Sequence, residues 1–233
     1  MQLGGLPDPL RGLLGGGVTG SKVTHSERSL EVPVALRPLR IDAQRTEILA
    51  PPARWAEPFR NQRSLVCDDI FEPALLASLF RVCGQGRFRL DEVVGLGARE
   101  VESPQRVGNA IALALSRSAF LGWVERVTGS GKLERVEGRV VQTRPDSGDG
   151  LDWHDDLNDP RRRLAITICL SDGPVEGGWF ELRDAGTGRT LARHRHQAPG
   201  SALIFEVGGH LQHRLLPVTG QRCRRVFTGW FLG

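Results

Sequence analysis

The chain has 233 residues, 39% hydrophobic and 25% charged, which fits one globular domain, or one domain with an extension, and excludes a disordered chain. No apolar run reaches the length of a membrane span, and the opening MQLGGLPDPLRGLLGGGVTG has neither a basic head nor an unbroken apolar stretch, so no membrane anchor and no signal peptide are expected. The net charge of +4 invites a nucleic-acid partner, but the basic residues are nearly all arginines dispersed among 27 acids, and the absence of tyrosine argues against stacking platforms for bases.

In chain order, residues 1–63 read as a flexible, glycine-rich N-terminal extension. Within it, SLEVPVALRPLRI from Ser29 alternates apolar and polar residues and predicts an edge strand, and APPARWAEPFRNQR over 50–63 reads as a linker or loop. The folded domain is expected over 64–233, with helical support over 64–135 and a β core over 136–233. DDIFEPALLASLFRVC predicts a helix that starts near Asp69 or Glu72, with Pro73 in its first turn. FRLDEVVGLG from Phe88 predicts a strand. SPQRVGNAIALALSRSAFLGWVERVTG predicts one long or two broken helices, opened by Ser103 and Pro104 and closed at Gly129 to Gly131.

Beyond Gly131 the helical spacing stops. About eight short runs rich in Val, Ile, Leu, Phe and Trp follow, separated by turn residues. The predicted fold class is α+β, mainly β: a double-stranded β-helix, or jelly roll, with the N-terminal helices packed on one face. Cys67, Cys83, Cys169 and Cys223 are far apart with no C-x-x-C pair, which excludes a zinc ribbon and fits a reducing, cytoplasmic location.

The chemistry is concentrated in WHDDLNDP, Trp153 to Pro160. His154 and Asp156, two apart on an extended backbone, would point the same way and supply two metal ligands. A late strand should bring the third, and the candidates are His210 and His213; His194 and His196 sit on an exposed-looking RHRH ribbon and are weaker. Two imidazoles and a carboxylate on one side of an ion form the facial arrangement of non-haem iron(II) oxygenases.

The last 90 or so residues resemble the Fe(II)/2-oxoglutarate-dependent dioxygenases of the prolyl-4-hydroxylase-like branch. The resemblance rests on an ordered series: WHDD, the arginine-led RRRLAITICLSD, EGGWFELRD with Gly177 and Gly178, PGSALIF, HRLLPVTG and RRVFTGWF. It implies His154, Asp156 and His213 as iron ligands, with His213 preferred over His210 for its RLLPV continuation. It implies that Arg224, or Arg222 on the same strand parity, pairs with the distal carboxylate of 2-oxoglutarate, with Thr228 adding a hydrogen bond. The implied cofactors are Fe(2+), 2-oxoglutarate as co-substrate and O2, with ascorbate as an accessory reductant. Many relatives also use a tyrosine before the H-x-D strand; this chain has none, and Gln142, Thr143 or Arg144 is the candidate substitute.

The implied function is hydroxylation of an aliphatic carbon of an amino acid, peptide or protein side chain, on a small-molecule, peptide or protein substrate. The alternatives are a nucleic-acid demethylase on the same fold, a non-catalytic jelly-roll ligand-binding protein, and a zinc hydrolase, which gives Arg224 no role. Several residues also have plain readings. Arg161 to Arg163 read as a strand entry, Gly177 and Gly178 as a turn, and Trp153 and Trp179 as core. The acids from Asp155 to Asp159 lack EF-hand spacing.

Overall fold

The computed structural model describes residues 37–93, 97–145 and 150–233. The strand expected from Ser29 lies largely outside the described residues; its end is β1 (Leu39–Ile41), paired antiparallel with β2 (Thr46–Ile48). The segment read as a linker is instead a helix, α1 (Ala53–Gln62). Its three prolines hid a simple pattern. Trp55 and Phe59, four apart, form one buried face, and Pro58 falls where the only lost bond is to the exposed Arg54 carbonyl. Arg63, with φ 55°, ends the helix, and β3 (Ser64–Cys67) follows at once.

α2 (Pro73–Gly84) starts where expected. The Glu72 carboxylate accepts from the Ala74 and Leu75 amides, and Pro73 occupies the position where an N–H would have no partner. β4 (Phe88–Val93) pairs with β5 (Gly97–Glu102), whose charged GAREVE sequence gave no sign that its last residue, Glu102, is buried. The next two helices are separate: α3 (Arg106–Leu115) and α4 (Ser118–Thr128), parted where Arg117 turns extended. Ser103 and Pro104 do not open α3. Glu102, 2% exposed, does so by accepting from the amides of Val107 and Gly108, both at 2.9 Å. Gly129, with φ 69°, closes α4 as the sequence predicts.

The β core comprises β6 (Arg135–Thr143), β7 (Leu151–His154), β8 (Arg162–Cys169), β9 (Glu176–Gly177), β10 (Phe180–Asp184), β11 (Thr190–His194), β12 (Ala202–Glu206), β13 (Leu211–Leu215), β14 (Val218–Thr219) and β15 (Arg224–Leu232). A seven-stranded antiparallel sheet runs in the order β3-β12-β8-β15-β6-β5-β4, and a four-stranded one runs β11-β10-β13-β7. This is the expected double-stranded β-helix.

Alternation along β15 fixes the layers. Phe227 and Phe231 face the helices and join Trp123, Phe120, Ile111 and Phe59 in the larger core. Val226 and Trp230 face the other sheet, where Ala165, Leu203 and Phe205 pack against Phe180, Leu182 and Leu211. Each such side chain, fully buried, contributes roughly 1.5–3 kcal/mol. Leu39, Ile41, Trp55 and Phe59 belong to the main core, so the fold starts well before Ser64.

Candidate metal centre

β7 and β13 are neighbours in the small sheet, and their register sets His154 directly opposite His213, ring centroids 4.2 Å apart. Asp156 reaches the same point by a different route from the one its spacing suggested. The strand ends at His154, and Asp156 lies beyond it with φ 61°, a left-handed conformation that aspartate tolerates better than most side chains. Two neighbours hold it. The Trp230 indole N–H donates to Asp156 Oδ2 at 2.9 Å, and Arg162 donates to the Asp156 carbonyl at 3.0 Å while its guanidinium lies over the Trp230 ring at 3.8 Å. Arg162 also bonds Asn158.

The three side chains converge. Asp156 Oδ1 is 3.7 Å from His154 Nε2, Asp156 Oδ2 is 3.3 Å from His213 Nε2, and all three ligand atoms lie within 4.8 Å of one another. His154 Nδ1 meets the Asp152 carbonyl at 2.6 Å; only an N–H can make that contact, so the Nε2 lone pair is directed at the site. The His213 ring is wedged against Phe180 and Phe205. Burial, with the charge of His213, pushes the His154 pKa down, which favours the neutral ligand form. Burial raises the Asp156 pKa, but hydrogen bonds from His213 and Trp230 outweigh it and hold the carboxyl well below its usual range. Two imidazoles and an ionised carboxylate in a partly buried pocket fit a divalent iron. His210 is not part of the cluster; it is 57% exposed and faces Glu206.

From the ligands the pocket runs between the sheets to Arg224. This residue is 9% exposed and has no carboxylate beside it among the described residues; burial pushes its pKa down to about 10, so it stays charged at neutral pH. Thr143 on β6 is its cross-strand partner, and Thr228, four residues along the same strand, pairs with Thr167 on β8; all line the same cavity. Arg222, the alternative anchor, lies outside the cavity and pairs with Asp172 at the surface. Of the three substitutes considered for the missing tyrosine, Thr143 faces the pocket, whereas Gln142 bonds Glu100 and Arg225, and Arg144 pairs with Glu100. Gly178, with φ 62°, does more than turn the chain: a Cβ there would sit 3.0 Å from Arg224 Cδ. Trp153 and Trp179 are not core; arginines 183 and 214 stack on the first, and 193 and 195 on the second.

Residues 139–232 match the family model of the 2OG-Fe(II) oxygenase superfamily. Over these residues, which carry the three clustered side chains and Arg224, the chain is similar to the 2OG-Fe(II) oxygenases. The solved structures agree in fold. A Pseudomonas putida prolyl-4-hydroxylase is 19% identical, with 78% of this chain and 98% of that chain covered and a TM-score of 0.57. A Trichoplax adhaerens prolyl hydroxylase, solved with a peptide fragment of the hypoxia inducible factor oxygen degradation domain, is 15% identical over 78% and 88%, with a TM-score of 0.59. The epimerase SnoN from nogalamycin biosynthesis is 14% identical over 78% and 80%, at 0.55. No curated protein matches the chain. That family match implies Fe(2+), 2-oxoglutarate and O2 as cofactors, and among the described residues His154, Asp156 and His213 form a cluster that could hold the metal.

The sequence missed the RHRH ribbon. His194 and His196 are turned inward: His196 Nδ1 meets Ser201 Oγ at 2.9 Å and its Nε2 meets Thr167 Oγ1 at 3.0 Å. His194 packs on His196, and its Nε2 is buried with no hydrogen-bond partner.

Proposed function

We propose that the oxygenase hydroxylates an aliphatic carbon of an amino acid, peptide or protein side chain, with His154, Asp156 and His213 holding the iron and Arg224 anchoring the co-substrate. The observation that carries the co-substrate assignment is Arg224: a buried guanidinium facing the metal pocket with no carboxylate beside it among the described residues. A buried, uncompensated charge is expensive, and a distal carboxylate accepting two parallel N–H bonds would offset that cost. The hydroxylase reading is supported by the prolyl hydroxylases among the structural neighbours.

When bound, the iron and 2-oxoglutarate supply the activation of dioxygen that oxidises an unactivated C–H bond. The chain's own residues supply the geometry. The His154 tautomer and the Trp230 bond to Asp156 fix two ligands before the metal arrives, so little reorganisation remains. Phe180 and Phe205, 4.7 Å apart, brace the third ligand and keep that wall of the pocket dry. Thr228 on the same face as Arg224 offers a hydroxyl to the same carboxylate. The four free cysteines, three of them buried, are compatible with a reducing compartment, and a cytoplasmic location is proposed on that basis.

The test is anaerobic addition of iron(II) and 2-oxoglutarate, followed by a screen of amino acids and peptides. The expected result is a weak visible charge-transfer band that is lost in His154→Ala, and succinate release coupled to a 16 Da gain on one substrate class. A wild-type protein that gives no band, or a band that survives His154→Ala, would overturn the assignment.

A further inference from the structure

Behind the pocket wall lies a hydrogen-bond chain whose direction can be worked out atom by atom. The Ser201 hydroxyl lies 2.8 Å from the Ala198 carbonyl, which can only accept, so the Ser201 proton points there. Ser201 Oγ must then accept from His196, which places the His196 proton on Nδ1. His196 Nε2 is left with a lone pair, so Thr167 donates its only hydroxyl proton to it. Thr167 lines the metal pocket, and in this arrangement its hydroxyl has no proton left to donate into it.

That polarity conflicts with the proposed occupant. Thr167 is the direct cross-strand partner of Thr228 on β15, and the Arg224 side chain enters the same cavity from that strand. A carboxylate arriving there would meet an acceptor where it needs a donor. Doubly protonated His196 would resolve the conflict, but burial, His194 and Arg224 all push its pKa far below the usual value, so it stays neutral. One arrangement remains in which Thr167 can donate to the pocket. His196 carries its proton on Nε2 and donates to Thr167 Oγ1; Ser201 turns its hydroxyl from Ala198 to His196 Nδ1; Thr167 turns its proton into the pocket. Each of the three side chains carries one proton in both arrangements, so the change needs exchange with water and no net proton uptake.

We propose that Ser201, His196 and Thr167 form a reversible relay in which entry of the 2-oxoglutarate carboxylate switches the His196 tautomer and turns Thr167 into a donor to that carboxylate, taking the role left open by the absent tyrosine. The proposal rests on the co-substrate reading of Arg224. His196 is a positioning residue; Thr167 is the group that touches the ligand. The released Ala198 carbonyl is on an exposed residue and is taken over by water.

The experiment uses the protein loaded with zinc(II), a diamagnetic stand-in for iron, so nothing depends on turnover. Nitrogen-15 NMR of the His196 ring is recorded with and without 2-oxoglutarate, and affinity for 2-oxoglutarate is measured by calorimetry. The expected result is proton density on Nδ1 in the free protein and on Nε2 in the complex. Thr167→Val should weaken binding about tenfold or more, as for a lost hydrogen bond to a charged group, and Thr167→Ser should restore most of it. If His196 keeps its Nδ1 proton in the complex, or Thr167→Val binds as wild type, the relay is overturned while the Arg224 reading stands. If zinc-loaded wild type does not bind 2-oxoglutarate at all, the Arg224 reading falls and the relay with it. The wild-type NMR arm decides the matter even if a Thr167 variant fails to fold.

Discussion

Neighbouring arginines on one strand have opposite surroundings. Arg224 points between the sheets, whereas Arg225 points to the opposite, helix-bearing side of the large sheet, donates to Gln142 Oε1 at 2.7 Å and lies over the Phe88 ring. Arg224→Ala should therefore weaken 2-oxoglutarate binding by about thirtyfold or more, and Arg225→Ala by less than about threefold, measured by calorimetry on metal-loaded protein. The clustering of His154, Asp156 and His213 was legible, because H-x-D and HRLLPV are local strings whose order carries the pattern. The buried histidines were not, since RHRH reads as a polar ribbon and only the hairpin of β10 and β11 turns it inward. That burial has a pH signature. Burial, then the charge of Arg224, push His194 down to about 4 from its ordinary 6.5. Between those values the unfolded chain takes up a proton that the folded one refuses, so stability falls as pH drops from about 6.5 to about 4 and is unaffected by this group above 6.5. The contribution is on the order of 2–3 kcal/mol. Urea unfolding across that range should show the slope, and His194→Gln should flatten it.

At the scale of elements, α1 and β5 depart from the expectation for one cause: polar or proline-rich composition conceals buried residues. α1 carries three prolines in and just before it, yet Trp55 meets Trp123 edge-on with centroids 5.8 Å apart. β5 carries three charges in six residues, and its last residue, Glu102, is an almost fully buried carboxylate serving the start of α3. No distance along the chain signals this, because the cap lies four residues ahead of the helix and across a turn. Glu102→Ala leaves two amides without their acceptor in a closed space and should cost about 2–3 kcal/mol in urea unfolding. α3 also has little room to shift: a Cβ at Gly108 would lie 3.1 Å from the Arg139 Cα on β6. The helix therefore sits directly on the strand that carries Thr143 to the pocket.

At the scale of the whole molecule, the order of helices first and strands after was readable from the change of hydrophobic period near Gly131, and so was the jelly roll. The starting point was not, because Leu39, Ile41, Trp55 and Phe59 are scattered through a segment of low periodicity and become a set only when they meet α4 and the large sheet. Removal of residues 1–62 should therefore leave an insoluble or unfolded product rather than a working catalytic core, as judged by circular dichroism and solubility; the lost burial is comparable with the whole stability of a domain. β7 is the feature with the widest reach. Four residues long, it sits at the border of the small sheet, with β13 as its neighbour there and one ligand at its last position. An ion held jointly by His154 and His213 would act as a rivet through that seam. Stripping the ion would let the border fray first, so loading order matters in practice: a preparation that loses its iron loses the edge of its substrate chamber before it loses its fold, and amide exchange over Leu151–His154 would register the change first.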